Sequence, residues 1–461
     1  MQRRDALKSL AALAGLGALS AEAADAAPPR YRLSTFSADV TPPLGHPLIA
    51  GWRQPAKTIK DRLTIKGVCL TGAGQPLVIA GLDWCELRND SYDAWRDALA
   101  RAAGTTRERV LLSCVHQHDA PYADLTAQKL LDEVGLEGEM FDVAFHNDCV
   151  ERSAAALKKS LATARPVTHF GAGQAKVERV ACNRRVQLKG QPPRFNRYSA
   201  ARDPQIRFAA DGEIDPLVKT LAFYDGEQPL AAVSCYAVHP MSYYGGGEVS
   251  YDFPGMAREM RQRETPEVMQ IYLSGCAGDV VAAKYNDGGA AGRQALAEHL
   301  HDGMRRAWES LERRPLERVA FRNVPMTFEP ESQGNLSLES LQSTLENEKL
   351  PGKTRSQAAL GLSWHRRCAA GQRVDLPAVD FGAAKLLLLP AEAFVGFQLA
   401  AQQMEPDAIV MTPAYGECAP GYFPTAKTRG EGFVEEHGYC WVAAGAEKEL
   451  LRGIGEALRG Q

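Results

Sequence analysis

The chain has 461 residues, enough for a large core and more than one layer of structure. Hydrophobic residues make up 45% of it and charged residues 24%, which is ordinary for a globular protein. A formal net charge of −3 gives no electrostatic case for binding nucleic acid or an anionic membrane surface, so neither partner is predicted.

The first 26 residues have the features of an export signal. Arg3 and Arg4 precede a short apolar run, and the small-x-small triplets at 21–23 and 24–26 are candidate cleavage sites. This pattern resembles a bacterial twin-arginine signal; the alternative is a frayed N-terminal helix. The run is too short and too rich in Ala and Gly to span a membrane. We expect a periplasmic or secreted mature chain without an integral membrane segment.

Short apolar runs alternate with helical patterns along the chain. The apolar runs, which are typical of strands covered on both faces, lie at 68–72, 76–84, 109–115, 230–238, 268–275, 384–390 and 408–413. The helical patterns lie at 90–104, 139–164 and 292–311, with a polar helical pair at 337–372. We therefore predict an α/β fold, with mixed sheets covered by helices, in one catalytic domain over residues 31–460. The helix at 90–104 is expected to start at a cap formed by Asp90 or Ser91 and to stop at Gly104.

Polar residues directly follow four of these apolar runs. They are His116 and His118, His239, Asp279 and Glu392. Ligands of open α/β sheets bind beyond the carboxyl ends of the strands, so these side chains predict a site there. Imidazole and carboxylate are normal zinc ligands, and a catalytic zinc site leaves one position open for water. Singly, each residue also has an ordinary interpretation, as a hydrogen-bonded loop histidine or a helix N-terminal acid.

Taken in order, seven segments resemble the neutral/alkaline non-lysosomal ceramidase family. They are FSADVTPPLGHPLIAGW, SCVHQHDAP, ACNRRV, VSCYAVHPMSYYGGGEVSYDFPGMA, LSGCAGDVV, LPAEAFVGF and YGECAPGYFPT. The matches run from about Phe36 to Tyr422, nearly the whole mature chain.

The resemblance implies a zinc ion bound by three of the residues at the strand ends and by a tyrosine. The three are His116, His239 and Glu392. Tyr422 is the nearest tyrosine in the matching segment, and Ala419 is the alternative position for this ligand.

The resemblance also implies roles around the metal. His118 would stabilise the oxyanion, and Arg184 or Arg185 would contact the polar part of the substrate. We assign Arg184 to catalysis, and Arg185, Tyr243 and Asp119 to substrate binding.

Two departures from the family pattern bear on the substrate. Val281 replaces the serine of the family's Gly-Asp-Val-Ser segment, and the immunoglobulin-like domain of the family is expected to be absent. The segments that flank the motifs are rich in glycine and tyrosine, which suits a compact polar ligand. We expect a small-molecule or lipid-like N-acyl substrate, more compact than ceramide.

The predicted function is zinc-dependent cleavage of an amide (N-acyl) bond by metal-activated water. Asp279 is the catalytic carboxylate in this scheme, and Asp119 and Asp252 are the alternatives for the general acid. Asp83 is expected to orient the imidazoles. The alternatives are a zinc esterase or hydrolase of sugar derivatives on the same fold, and a non-catalytic binding protein. A serine hydrolase is disfavoured because the sequence lacks GxSxG.

Overall fold

The computed structural model describes residues 30–459. The predicted export signal at 1–26 lies outside the described residues and stays a prediction. Among the helices that are described, none combines the length and the apolar character needed to cross a membrane.

The elements alternate between strands and helices along the chain. The strands are β1 (Tyr31–Asp39), β2 (Thr58–Ile59), β3 (Thr64–Thr71), β4 (Leu77–Leu82), β5 (Glu86–Arg88), β6 (Val110–Cys114), β7 (Tyr122–Asp124), β8 (Arg165–Val167), β9 (His169–Lys176), β10 (Cys182–Asn183), β11 (Arg185–Val186), β12 (Arg194–Phe195), β13 (Leu217–Asp225), β14 (Gln228–Tyr236), β15 (Glu248–Val249), β16 (Met269–Ser274), β17 (Val280–Val281), β18 (Glu312–Pro315), β19 (Ala320–Met326), β20 (Val374–Asp380), β21 (Ala384–Leu387), β22 (Glu392–Ala393), β23 (Ile409–Met411) and β24 (Tyr422–Phe423). The helices are α1 (Asn89–Ala103), α2 (Leu125–Asp132), α3 (Val143–Ser160), α4 (Pro204–Phe208), α5 (Asp252–Glu264), α6 (Ala290–Glu309), α7 (Leu338–Glu346), α8 (Gly352–Ala369), α9 (Val395–Met404), α10 (Ala426–Gly430), α11 (Phe433–His437) and α12 (Ala446–Arg459).

Three mixed sheets contain the longer strands. Their strand orders are β6-β4-β3-β1-β8, β16-β14-β13-β9-β18 and β19-β20-β21-β23. In each sheet one edge pair is parallel, namely β4 with β6, β14 with β16 and β21 with β23. Parallel neighbours need a crossover, and α1, α5 and α9 lie within these three crossovers. The predicted α/β fold with mixed sheets is confirmed.

The three sheets pack on one shared core. Each contributes fully buried aliphatic side chains to it, among them Ile79, Leu111, Val233, Ile271, Leu386 and Met411. The carboxyl ends of three parallel strands also meet. The Cys114 amide, at the end of β6, donates to the Tyr415 carbonyl, and the Ala414 amide donates to the Ser274 carbonyl at the end of β16. This meeting point is where the polar residues that follow the strands come together.

The predicted cap of α1 is wrong by two or three residues, because Arg88 stands at the cap position, whereas the predicted stop at Gly104 is confirmed. The helix begins at Asn89, and neither Asp90 nor Ser91 caps it. The Asn89 amide instead donates to the side chain of Glu417, 2.8 Å away. An acceptor 328 residues away in the sequence thus takes the place of a local capping side chain. Sequence pattern alone does not reveal such a partner.

Candidate metal centre

Three buried donor atoms converge where the sheets meet. His116 Nε2 lies 3.0 Å from His239 Nε2 and 3.2 Å from Glu392 Oε2, and His239 Nε2 lies 3.7 Å from Glu392 Oε2. The three residues are at most 4% exposed. His116 follows β6, His239 follows β14 and Glu392 lies just after β21. These three strands belong to three different sheets. The structure therefore brings together three residues that are widely separated in sequence.

The hydrogen bonds of these residues leave three donor atoms available to bind a divalent metal. His116 Nδ1 lies 2.9 Å from the carbonyl oxygen of Cys85, and His239 Nδ1 lies 3.0 Å from that of Ala277. An Nδ1–H that donates to a carbonyl leaves Nε2 as a lone pair, so two lone pairs face each other. The buried Glu392 Oε2 has no hydrogen-bond partner within the described part of the chain. A cation held by all three would satisfy these atoms, and this donor set is a normal one for zinc.

Burial and neighbouring charges act differently on the pKa values of the two imidazoles. Burial and the positive charge of Arg184 hold the pKa of His239 well below its ordinary value. Burial also opposes the charged form of His116, but the carboxylates of Glu392 and Glu86 outweigh it and raise the pKa of this imidazole. A metal ligand must be the neutral imidazole, and His239 meets this requirement in the protein alone.

A second group of donor atoms is less suited to a metal. Cys85, His116 and His118 also lie close together, and they share His116 with the first group. Burial, together with nearby carboxylates such as Glu86, raises the pKa of the Cys85 thiol well above its ordinary value. Metal ligation requires the thiolate, so the set that contains Glu392 fits better.

Three non-glycine residues at the site have left-handed backbone. They are His116 at φ 73°, Ala391 at φ 68° and Tyr415 at φ 60°. Such conformations are costly for these residues and cluster at functional sites. The buried Tyr415 ring stacks on the His116 ring, with centroids 4.2 Å apart and planes 20° apart. Tyr415 was missed in the sequence, although it follows the apolar run at 408–413 just as the other site residues follow theirs.

His118 and Arg184 both line the cavity beside the three donors. His118 Nδ1 lies 3.2 Å from the carbonyl oxygen of His116, and burial together with the charge of His116 holds the pKa of His118 well below its usual range. Arg184 donates from Nη1 to the Tyr422 hydroxyl at 3.0 Å, and its Nη2 lies 3.3 Å from His239 Nδ1. Tyr422 also lines the cavity.

The other predicted catalytic and substrate-binding carboxylates do not line this cavity. Asp279 is buried; its Oδ1 accepts from the Val395 amide at 2.8 Å and its Oδ2 from the Asn183 side chain at 2.9 Å. Burial raises the pKa of Asp279 to about 6. Asp119 accepts from the Gly245 amide at 2.8 Å, and burial raises its pKa to about 6 as well. Both carboxylates hold loops that border the cavity.

Arg185 and Tyr243 also point elsewhere. Arg185 Nε lies 2.8 Å from a carboxylate oxygen of Glu431. The Tyr243 hydroxyl accepts from Lys60 at 2.9 Å, and the Arg293 guanidinium stacks 3.5 Å from its ring centroid. Neither lines the cavity, whereas the next residue, Tyr244, does.

Asp83 and Val281 have structural surroundings. Asp83 accepts two bonds from Arg258, at 2.6 and 3.0 Å. The prediction that Asp83 orients the imidazoles is wrong, because the carbonyls of Cys85 and Ala277 accept from them. Val281 is fully buried in a small apolar cluster with Met241 and does not line the cavity.

The cavity beside the three donors, which is lined by His116 and Glu392 but not by His239, has a volume of about 260 Å³. Sequence reasoning missed most of its wall, including Trp52, Arg53, Glu86, Tyr122, Tyr244, Lys353, Gln357 and Tyr439. The first and the last of these residues, Trp52 and Tyr439, are more than 350 positions apart in the sequence. Glu86 is buried beside His116, and burial together with the charge of Glu392 raises its pKa to about 7.

Comparison with known proteins finds likeness in structure but none in sequence. No protein-family model matches the chain, and no curated protein matches it by sequence. The fold matches the crystal structure of neutral ceramidase from Pseudomonas aeruginosa, with a TM-score of 0.66 and 15% identity, over 94% of this chain and 74% of that one. It also matches a ceramidase complexed with C2, with a TM-score of 0.67 and 16% identity, over 94% of this chain and 75% of that one. The chain therefore has the neutral ceramidase fold.

Proposed function

We propose that the protein is a zinc-dependent hydrolase that cleaves an amide (N-acyl) bond. The observation that carries the proposal is the convergence of His116, His239 and Glu392, with unsatisfied donor atoms that face one another at a cavity. The same fold in a protein named neutral ceramidase supports an amide as the bond that is cleaved.

His116, His239 and Glu392 would hold the metal, and Tyr422 is proposed to complete the set. Bound zinc supplies Lewis acidity, which lowers the pKa of water to about 7 and polarises a carbonyl. The carbonyls of Cys85 and Ala277 fix the two imidazole rings, so Nε2 of each ring faces the metal position.

In this proposal His118 transfers protons and Arg184 stabilises the oxyanion. The bond from His118 Nδ1 to the His116 carbonyl leaves Nε2 as an acceptor, so in this proposal the neutral His118 would accept a proton from the attacking water and pass it to the leaving amine. An acceptor cannot stabilise an oxyanion. The guanidinium of Arg184 is permanently charged and reaches the cavity, so it is the group that donates to the developing oxyanion. This assigns to Arg184 the task that the resemblance gives to His118.

The size of the cavity favours a compact substrate. A volume of about 260 Å³ is close to the lower end of the range typical of small-molecule sites, roughly 300–1,000 Å³. Tyrosine and tryptophan side chains in its wall offer flat apolar faces with polar edges. A short N-acyl compound fits this space better than two long alkyl chains.

The test is an assay of hydrolysis on purified protein. A panel of short-chain N-acyl amides, the matching esters, and a long-chain ceramide in detergent are offered separately and in competition. We expect the short amides to be turned over faster than the ceramide, and His239→Ala to abolish this activity. His365→Ala, at a histidine outside the cavity, is the matched control. Faster turnover of ceramide would overturn the compact substrate, and hydrolysis of the esters without hydrolysis of any amide would overturn the amide.

A further inference from the structure

Two cationic side chains lie at the mouth of the cavity. Arg53 and Lys353 are exposed residues that line it, 300 positions apart in the sequence. Partial burial lowers the pKa of Lys353, and the positive charge of the nearby Arg53 lowers it further. Two like charges held together are unfavourable unless something of opposite charge offsets them.

The Arg53 side chain packs into a defined position. Its guanidinium carbon lies 5.7 Å from the centroid of the Tyr244 ring. A Cβ placed on Gly245 would lie only 2.9 Å from Cδ of Arg53, and Gly245 has φ 91°. Only glycine both tolerates this backbone and leaves this space. The Gly245 amide is held in turn by Asp119.

A row of side chains connects this mouth to the candidate metal centre. The Tyr244 ring lies 4.7 Å from the His118 ring, and the His118 ring lies 5.1 Å from the His116 ring. The charge of Arg53 is also one of the causes that lower the pKa of His118. The Tyr244 ring therefore contacts both Arg53 and His118.

Neither cation is paired with a carboxylate of the described residues; the carboxylate of Glu139 lies against Gly352, next to Lys353. Among the side chains that the structure describes (30–434 and 437–459), no Asp or Glu oxygen lies within 4 Å of the charged nitrogens of Arg53 or Lys353. With respect to these described side chains, both cations are available to bind an anion.

We propose that the substrate carries an anionic group, a carboxylate, which Arg53 and Lys353 bind at the cavity mouth while its amide lies at the metal centre. The inference rests on the proposed amide hydrolysis and narrows its substrate to compact N-acyl acids. Arginine suits this role because its planar guanidinium matches a carboxylate with two parallel hydrogen bonds. Arg53 and Lys353 determine specificity here and take no part in bond cleavage.

The experiment compares pairs of amides that differ only in charge. N-hexanoylglycine and N-hexanoylglycinamide place the carboxylate, or its neutral amide, on the amine side of the scissile bond. N-butylsuccinamic acid and N-butylsuccinamide place it on the acyl side. We expect at least one acid to exceed its neutral partner by about tenfold in kcat/KM, through a lower KM, and to lose part of this advantage as salt is raised.

The variant Arg53→Gln/Lys353→Gln should reduce the ratio of kcat/KM for acid over neutral amide by about tenfold. Lys349→Gln is the matched control, since Lys349 is an exposed lysine four residues earlier that does not line the cavity. It should leave the ratio unchanged. Equal kcat/KM for both members of both pairs, or an unchanged ratio in the double variant, overturns the inference but leaves amide hydrolysis standing.

Failure of the proposed function can be told apart from failure of this inference, because in that case neither member of any pair is hydrolysed. Titration calorimetry of the same pairs decides the inference in that case. Tighter binding of an acid by wild-type protein than by the double variant supports it, and equal binding of acid and neutral amide contradicts it.

Discussion

Glu392 lies directly opposite Tyr422 in the parallel pairing of β22 with β24. The pairing ties the segment that supplies a metal-donor carboxylate to the segment that supplies the tyrosine. The Tyr422 hydroxyl accepts from Arg184, which in turn contacts His239. The backbone register thus places a phenol and a guanidinium next to the three donor atoms.

This register leads to a prediction for the fourth ligand. If Tyr422 completes the set, Tyr422→Phe should weaken zinc affinity by about tenfold, a loss also typical of changes around metal ligands. Tyr415→Phe is the matched comparison, because the Tyr415 ring stacks on His116 and its buried hydroxyl has no hydrogen-bond partner among the described residues. Zinc dissociation constants from chelator competition give the answer. A larger loss in Tyr415→Phe would exchange the two roles.

His118 should affect turnover and not metal binding. His118→Ala removes the proposed proton acceptor but none of the three donors, so zinc should be retained while kcat falls by roughly 10²- to 10³-fold. Metal content and kcat are measured on the same preparation. Loss of zinc in this variant would make His118 a ligand and would favour the donor group with Cys85.

Asp279 should affect stability first. Both of its oxygens accept buried hydrogen bonds, from Val395 and Asn183, and it joins the segment of Arg184 to the segment of Glu392. Asp279→Asn places an amide hydrogen against one of these donors, and we expect a loss of about 2 kcal/mol in the free energy of unfolding. A variant of unchanged stability whose kcat collapses would instead restore Asp279 as the general acid.

His146 should make the protein sensitive to acid. It is fully buried among aromatic rings, and burial lowers its pKa from 6.5 to about 4. Between these values the unfolded chain binds a proton that the folded protein does not, so the stability contribution is lost as pH falls from about 6.5 to 4. His146→Phe should recover about 2–3 kcal/mol at pH 4 and change little at pH 7.5, as urea unfolding at both values would show. An equal effect at both pH values would contradict the assignment.

The sequence predicts the strands and the polar residues of the candidate metal centre because both depend on local pattern. Continuous runs such as 109–115 and 230–238 are apolar because the three sheets bury both faces. The polar residue that ends each run then falls at a strand end, which is how His116, His118, His239, Asp279 and Glu392 could be named in advance. The family resemblance then selected His116, His239 and Glu392 among them as metal ligands. The same reasoning applied to the run at 408–413 would have found Tyr415.

The cavity wall could not be predicted because it depends on packing between distant segments. Arg53 and Lys353 stand in unrelated stretches, and only the folded chain brings them to one mouth. Asp83 was misassigned for the same reason, since its partner Arg258 lies 175 residues away.

His116, His239 and Glu392 are proposed to hold a catalytic zinc ion. The most direct measurement is the metal content of purified protein by mass spectrometry, made on wild type, His116→Ala, His239→Ala and the control His365→Ala, with amide hydrolysis assayed in parallel. We predict about one zinc per chain in wild type and control, and the loss of zinc and activity together in the other two. Full hydrolytic activity in protein that contains no metal would contradict the account.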